Sequence, residues 1–116
     1  MNNTQQYQLM LVRPQGRLDL QGGRDLEQQL MDLTTNNQTL LIIDLEQVDF
    51  MDSSGLVALA KALKTARKDC WRLVLCNLQA PVKLIFELTQ LDSVFEIFDN
   101  YDAVKATMAE VVSIAK

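Results

Sequence analysis

The chain has 116 residues, of which 48% are hydrophobic and 22% charged, with a net charge of −4 at pH 7; this is typical of one globular domain spanning residues 1–116. The acidic balance argues against a nucleic-acid-binding protein, and the apolar run 40–43, like every other apolar run in the sequence, is too short for insertion across a membrane. Because the chain contains no histidine, Ser-His-Asp, Cys-His and histidine–metal catalysis are excluded for it alone.

The first half of the chain alternates between strand and helix patterns. Leu26, Leu30 and Leu33 follow the i, i+4, i+7 spacing of an amphipathic helix. The apolar run 40–43 is typical of a strand buried on both faces of a parallel sheet. The predicted elements are, in order, a strand over 7–12, a break at 14–16, an approach to a helix at 17–18, a helix between the glycines at 22–23 and residues 34–37, and a strand over 40–43 that ends at Asp44.

The second half continues the alternation. Pro81 suits the first turn of a helix, where its missing N–H would have no partner. For the helix after Ser54, the pattern predicts a core stripe of Leu56, Leu59, Ala60 and Leu63 and an opposite side with Lys61, Lys64 and Lys68. The later elements are a buried strand over 73–76, a helix from Pro81 with Val82, Ile85, Phe86 and either Leu88 or Thr89 inward, an edge strand over 94–98, and a helix over 102–114 with Val104, Met108, Val111 and Val112 inward.

This order of elements predicts the fold class. Strands that alternate with helices indicate an α/β domain, because parallel strands need crossover connections and the helices supply them. We therefore expect a single domain with a small, mostly parallel (mixed) sheet flanked by about four helices.

The segment Asp52-Ser53-Ser54-Gly55 supports two interpretations. Asp and Ser side chains accept hydrogen bonds from the free N–H groups of a helix N-terminus, so the segment is a typical helix start. The same N–H groups and the helix dipole would stabilise a phosphate, so Ser54 is also a candidate phosphorylation site. Gly55 has no side chain to keep a kinase from Ser54.

Several segments, in order and at the right separations, resemble the STAS domain family and especially the bacterial anti-sigma factor antagonists. The matching segments are Gly16-Arg17-Leu18-Asp19, residues 40–45 followed by 48–56, residues 73–77 with Pro81-Val82, and residues 84–91 with 94–98. The resemblance extends over residues 7–112 and implies a compact α/β fold with helices beside a mostly parallel sheet.

The resemblance also implies a function controlled by phosphorylation. Ser54 would be the phosphate acceptor, with Ser53 as the fallback if the register slips. The unphosphorylated protein would bind an anti-sigma factor that is also a serine kinase, phosphorylation would break the complex, and a PP2C-type phosphatase would restore it. The residues expected at or near the phosphate and partner site are Asp19, Asp44, Asp52, Ser53, Gly55, Lys61 and Lys64.

Two turns depart from the family pattern, which often has a glycine at each. Asp69-Cys70-Trp71 stands between the second helix and the next strand, and Gln90 stands before the last strand. Because glycine takes the left-handed conformation at little cost, we expect these turns to differ locally.

Other functions stay open on the sequence. The same fold could serve another kinase–phosphatase relay or a lipid transporter as an accessory subunit. An enzyme or nucleotide sensor is disfavoured, because a Gly-rich phosphate loop is missing and Asp44 and Asp52 would repel phosphate.

We therefore expect a non-enzymatic protein without a cofactor or a metal. Cys70 and Cys76 match no metal or redox spacing. The first residues show no secretory signal, so the expected location is the cytoplasm. No apolar stripe is left over once each helix has a core face, so we expect a monomer.

Overall fold

The computed structural model describes residues 8–33 and 39–115, and side chains up to residue 108. The chain folds into β1 (Gln8–Val12), β2 (Gly16–Leu18), α1 (Leu20–Met31), β3 (Thr39–Asp44), β4 (Val48–Met51), α2 (Ser53–Lys68), β5 (Arg72–Cys76), α3 (Ala80–Leu88), a 3-10 turn (Leu91–Ser93), β6 (Glu96–Phe98) and α4 (Tyr101–Ala115). The expected terminator at 34–37 and the inward side chains expected at 111 and 112 lie outside what the structure describes.

The strands form two parallel sheets. A four-stranded sheet has the order β1-β3-β5-β6, and a smaller sheet pairs β2 with β4. Every strand pair in the described ranges is parallel. The α/β prediction and the mostly parallel sheet are confirmed.

The central strand β3 separates two layers of core. Leu41 and Ile43 point into the larger layer, which packs against α1, α2 and α3, and Leu40 and Ile42 point into the smaller layer beside α4. All six residues of β3 are buried. A strand covered on both faces has no reason to alternate polar and apolar residues, which explains the continuous apolar run in the sequence.

Two short strands and the start of α1 were predicted wrongly. Residues 16–18 form β2 rather than an approach to a helix, and β4 was not predicted; three or four residues carry too little pattern. Gly22 and Gly23 lie inside α1, because Asp19 caps the helix three residues earlier. Gly23 lets α1 and α2 approach each other, since a Cβ there would lie 2.9 Å from the Cβ of Ala58.

The buried faces of two helices differ from the predicted stripes. On α2 the buried residues are Gly55, Ala58, Leu59, Ala62 and Ala66. Ala60 is exposed, and Leu56 and Leu63 are half-buried at the edge of the core. Small residues face the neighbouring helix because α1 packs closely there. On α3, Val82 and Phe86 are buried, whereas Leu88 and Thr89 are exposed.

The two turns that lack the family's glycine keep a left-handed residue. Cys70 has φ 62° and Gln90 has φ 61°. At the end of α2, the N–H of Cys70 bonds to the carbonyl of Arg67 and the N–H of Trp71 to that of Ala66, the two hydrogen bonds of a Schellman motif. This hydrogen-bond pattern requires a positive φ at Cys70. The turn therefore keeps the conformation that glycine would adopt, and the strain falls on the backbone of Cys70.

The N-terminus of α2 lies directly against the end of β2. A Cβ on Gly55 would be 2.0 Å from the carbonyl oxygen of Leu18. The N–H of Asp52 also reaches the carbonyl of Leu18, at 3.4 Å. Backbone therefore touches backbone, and only glycine fits at position 55.

Replacing the strained residues by glycine should stabilise the protein. A left-handed non-glycine residue costs about 1–2 kcal/mol, part of which is offset by the greater freedom of glycine in the unfolded chain. We expect Cys70→Gly and Gln90→Gly each to raise the free energy of unfolding by about 0.5 kcal/mol, measured by urea denaturation.

The matched control for this prediction is Asn77→Gly. Asn77 also has positive φ, at 59°, but its amide donates to Oδ1 of Asp44 at 3.1 Å. Losing that bond should cancel the gain. Destabilisation by Cys70→Gly and Gln90→Gly would contradict the strain argument.

Substituting Gly55→Ala should cost about 2–3 kcal/mol of unfolding free energy, because the methyl group overlaps the carbonyl of Leu18. Gly16→Ala is the control: nothing lies within 4 Å of its Cβ, and only its φ of +81° opposes the change. Thermal or urea unfolding of both variants should show a clearly larger loss for Gly55→Ala. Equal losses would mean that the contact between α2 and β2 is not the constraint at this position.

Candidate functional site

The site is built from two similar units that lie side by side. β2 leads through Asp19 into α1, and β4 leads through Asp52 into α2. β2 and β4 are paired in parallel, with Leu18 opposite Met51. The two capping aspartates therefore follow neighbouring strand ends, and the N-termini of both helices open at the same edge of the molecule.

Each aspartate caps its own helix. Asp19 Oδ1 accepts from the N–H of Gly22 at 3.0 Å. Asp52 Oδ1 accepts from the N–H groups of Ser54 at 2.9 Å and Gly55 at 3.2 Å. These bonds satisfy donors that the first turn of a helix leaves free.

Asp19 is held in its charged form. The N–H of Gly22, aided by the guanidinium of Arg17 at 3.5 Å, holds the pKa of Asp19 below its usual value. Arg17 also lies over the ring of Phe50, 3.8 Å from its centroid, which ties β2 to β4 a second time.

The two serines stand at the start of α2. Ser53 is exposed and Ser54 is half-buried. In the part of the chain that the structure describes, neither hydroxyl makes a hydrogen bond, and no buried side-chain oxygen or nitrogen is left unpaired. The Ser54 hydroxyl therefore has at least some contact with solvent. The Asp52 carboxylate bonds to backbone N–H groups and makes no hydrogen bond to either hydroxyl among the described residues.

Both serines line an open groove of ≈ 390 Å³ between α1 and α2. The floor is formed by Gly23 and Ala58, and the walls carry Leu20, Arg24 and Glu27 from α1 and Ser53, Ser54, Val57 and Lys61 from α2. Leu20 is 57% exposed and Val57 is 52% exposed. Large apolar side chains exposed beside polar groups are a common feature of protein-binding surfaces.

Three cationic side chains belong to this region. Arg24 and Lys61 line the groove, and Lys61 pairs with Glu27 at 3.8 Å. Lys64 lies one turn further along α2, in an adjoining cavity of ≈ 290 Å³ that Trp71 also lines. Lys61, Lys64 and Lys68, which were predicted to lie on the side of α2 away from the core, are all exposed.

Two residues that sequence reasoning placed at the site have another setting. Asp44 is 2% exposed and accepts from Arg13, Asn77 and its near neighbour Glu46, and it is not among the residues that line the groove. Gly55 is buried, so its role is to let α2 approach β2 rather than to leave room for a kinase.

Six groove residues were missed from the sequence: Leu20, Arg24, Gly23, Glu27, Val57 and Ala58. Starting α1 after the glycines assigned Leu20 to a loop and put Arg24 at the helix start. The exposure of Val57 could not be predicted, because a single valine in a helix does not indicate which side of the helix it occupies. The signal that could have found the first two was Asp19, a helix cap with a good spacing to Gly22.

The chemistry of the described side chains offers no metal centre. Among residues 8–33 and 39–108, no group of three or more Cys, Asp or Glu side chains is close enough to hold a metal ion. Cys76 is buried, and burial raises the pKa of its thiol to about 11. In the same part of the chain, none of the helices has the length and apolar character to cross a membrane.

The sequence matches relatives that share a regulatory description. The chain is 27% identical over 98 residues to a candidate anti-sigma factor antagonist, BtrV, of Bordetella bronchiseptica, with 84% of each chain covered. It is 26% identical over 106 residues to an anti-sigma F factor antagonist of Paenibacillus polymyxa, with 90% of each chain covered.

Solved structures share the fold at low identity. A sulfate transporter family protein from Wolinella succinogenes superposes with a TM-score of 0.78 at 16% identity, over 90% of this chain and 87% of that one. The STAS domain of a SulP transporter from Vibrio cholerae gives a TM-score of 0.72 at 15% identity, over 97% and 88%.

The family itself follows from a direct match of the sequence. The model of the STAS domain matches residues 1–104, which is most of the chain. The fold, the paired β-Asp-α units and the relatives agree with that match. The chain therefore belongs to the STAS domain family.

Proposed function

We propose that this protein is an anti-sigma factor antagonist, a non-enzymatic binding module switched by phosphorylation of Ser54. In its unphosphorylated form it binds an anti-sigma factor that is also a serine kinase. The kinase transfers phosphate to Ser54, and the phosphorylated protein then dissociates from the kinase. A PP2C-type phosphatase removes the phosphate and restores the binding form. The protein acts in the cytoplasm as a monomer.

The observation that carries this proposal is the Ser54 hydroxyl, which reaches solvent in the first turn of α2 and has no hydrogen-bond partner in the described part of the chain. The helix dipole favours an added negative charge at this end of α2, where Asp52 already accepts from the N–H groups of Ser54 and Gly55. The descriptions of the two bacterial relatives support the choice of partner.

Phosphorylation of Ser54 changes the charge of the groove between α1 and α2, which is the proposed partner-binding surface. The Ser54 oxygen forms a bond to the γ-phosphorus of ATP, ADP leaves, and the hydroxyl proton passes to the kinase. The phosphate brings about −1.5 to −2 charges to a groove flanked by exposed Leu20 and Val57. Desolvating that charge against a surface shaped for a hydroxyl opposes binding.

The transporter-like structures support the fold and not a transport role. Their identities of 16% and 15% are too low to carry function, and each covers the same single domain. The relatives at 27% and 26% identity favour the regulatory function over an accessory role in transport.

The acceptor can be assigned by direct modification. We expect a serine kinase from the same organism, incubated with this protein and ATP, to transfer one phosphate to Ser54, located by mass spectrometry. Ser54→Ala should abolish transfer, and Ser53→Ala, one residue away on the same groove, is the matched control and should retain it. Transfer that persists in Ser54→Ala and disappears in Ser53→Ala would move the site to Ser53.

The cationic edge of the groove should contribute to partner binding. Lys61 and Lys64 are exposed on α2, so we expect Lys61→Glu and Lys64→Glu each to weaken binding of the anti-sigma factor about fivefold, more strongly at low salt. Lys83→Glu, exposed on α3, is the control with the same charge change. Affinities from titration calorimetry that fall equally in all three variants would argue against a binding surface at α2.

A further inference from the structure

One cation of the groove, Arg24, has no side-chain partner in the part of the chain that the structure describes. Arg24 is exposed, and in the ranges 8–33 and 39–108 it makes no ion pair, side-chain hydrogen bond or ring contact. Two neighbouring cations are engaged: Lys61 pairs with Glu27, and Arg17 pairs with Asp19 and stacks on Phe50. Lys64 also has no partner among the described residues, but it lines the adjoining cavity rather than the groove that holds Ser54.

Arg24 follows Gly23, the residue at which α1 packs against the start of α2. A Cβ on the adjacent Gly23 would be 3.5 Å from the carbonyl oxygen of Ser54 and 2.9 Å from the Cβ of Ala58. Arg24 and Ser54 both line the groove that opens above this contact. No partner among the described residues holds the Arg24 guanidinium away from Ser54 across this groove.

A phosphate on Ser54 would need such a cation. The carboxylate of Asp52 already accepts from the N–H of Ser54 at 2.9 Å, so a new dianion would form next to an existing anion. A guanidinium offers two parallel N–H donors to phosphate oxygens and stays charged at every relevant pH.

We propose that Arg24 binds the phosphate of phosphorylated Ser54 within the same molecule. This inference rests on the proposed phosphorylation of Ser54. In the unphosphorylated protein Arg24 is free to meet an acidic group of the partner. Phosphorylation then acts twice on the partner surface, because it adds an anion and withdraws this cation.

The test measures the second ionisation of the phosphate. Phosphoserine is placed at residue 54 of the full chain during translation, by genetic code expansion, and its pKa is followed by phosphorus NMR during a pH titration. Free phosphoserine has a pKa of about 6. We expect Arg24→Gln to raise the pKa of the phosphate by about 0.5 relative to wild type, since the dianion loses its counter-charge.

Two further variants make the result specific. Asp52→Asn keeps a capping side chain and removes the neighbouring anion, so it should lower the same pKa. Arg67→Gln, an exposed arginine in the last turn of α2, should leave it unchanged. An unchanged pKa in Arg24→Gln, or equal rises in Arg24→Gln and Arg67→Gln, would overturn the proposal.

This experiment is independent of the proposed function. The phosphate is installed without a kinase, so the pKa reports on Arg24 even if no kinase modifies Ser54. Conversely, transfer of phosphate by a kinase can succeed whether or not Arg24 binds the product.

Discussion

The contact between the first turn of α2 and the last carbonyl of β2 is the constraint on which the site depends. With only a hydrogen at position 55, backbone packs on backbone, and any side chain would meet the oxygen of Leu18 at 2.0 Å. This contact fixes the start of α2 against the small sheet. Pairing of β2 with β4 and the close packing at Gly23 then fix α1 beside it. Ser54 consequently lies in the first turn of a helix that packs against both β2 and α1.

In the proposed function, phosphorylation of Ser54 acts through charge rather than through a change of shape. Asp52 already accepts hydrogen bonds from the N–H groups of Ser54 and Gly55. The helix start is therefore capped without a phosphate, and a phosphate is not expected to reorganise it. The proposed phosphorylation would change the charge of a groove that combines exposed apolar side chains with Arg24, Lys61 and Glu27. Modifications of this kind act locally through charge and are read out by whichever partner covers the surface.

The sequence predicted the large features of the fold because they repeat a pattern over many residues. The buried run of β3, the amphipathic α2 and the proline at the start of α3 all carry signals of that kind. β2 and β4 were not predicted, because strands of three or four residues show no periodicity. Without their pairing, the sequence could not predict that Asp19 and Asp52 follow neighbouring strand ends.

The site was predicted less completely, since its residues come together only through packing. Asp52, Ser53 and Ser54 are contiguous and were visible as a helix start, but Arg24 and Val57 share a groove only because two helices pack at a glycine. Asp44 was misplaced for the opposite reason: it follows a neighbouring strand in the sequence but turns to Arg13 and Asn77. The left-handed turns at Cys70 and Gln90 were unexpected, because hydrogen bonding at a helix end can impose a conformation that the residue itself disfavours.

The most direct test of the account is the affinity of the anti-sigma factor for two forms of this protein, one with serine and one with phosphoserine at residue 54. If charge at this hydroxyl controls the interaction, the dissociation constant should rise at least about a hundredfold, equivalent to about 3 kcal/mol. Equal affinities of the two forms would contradict it.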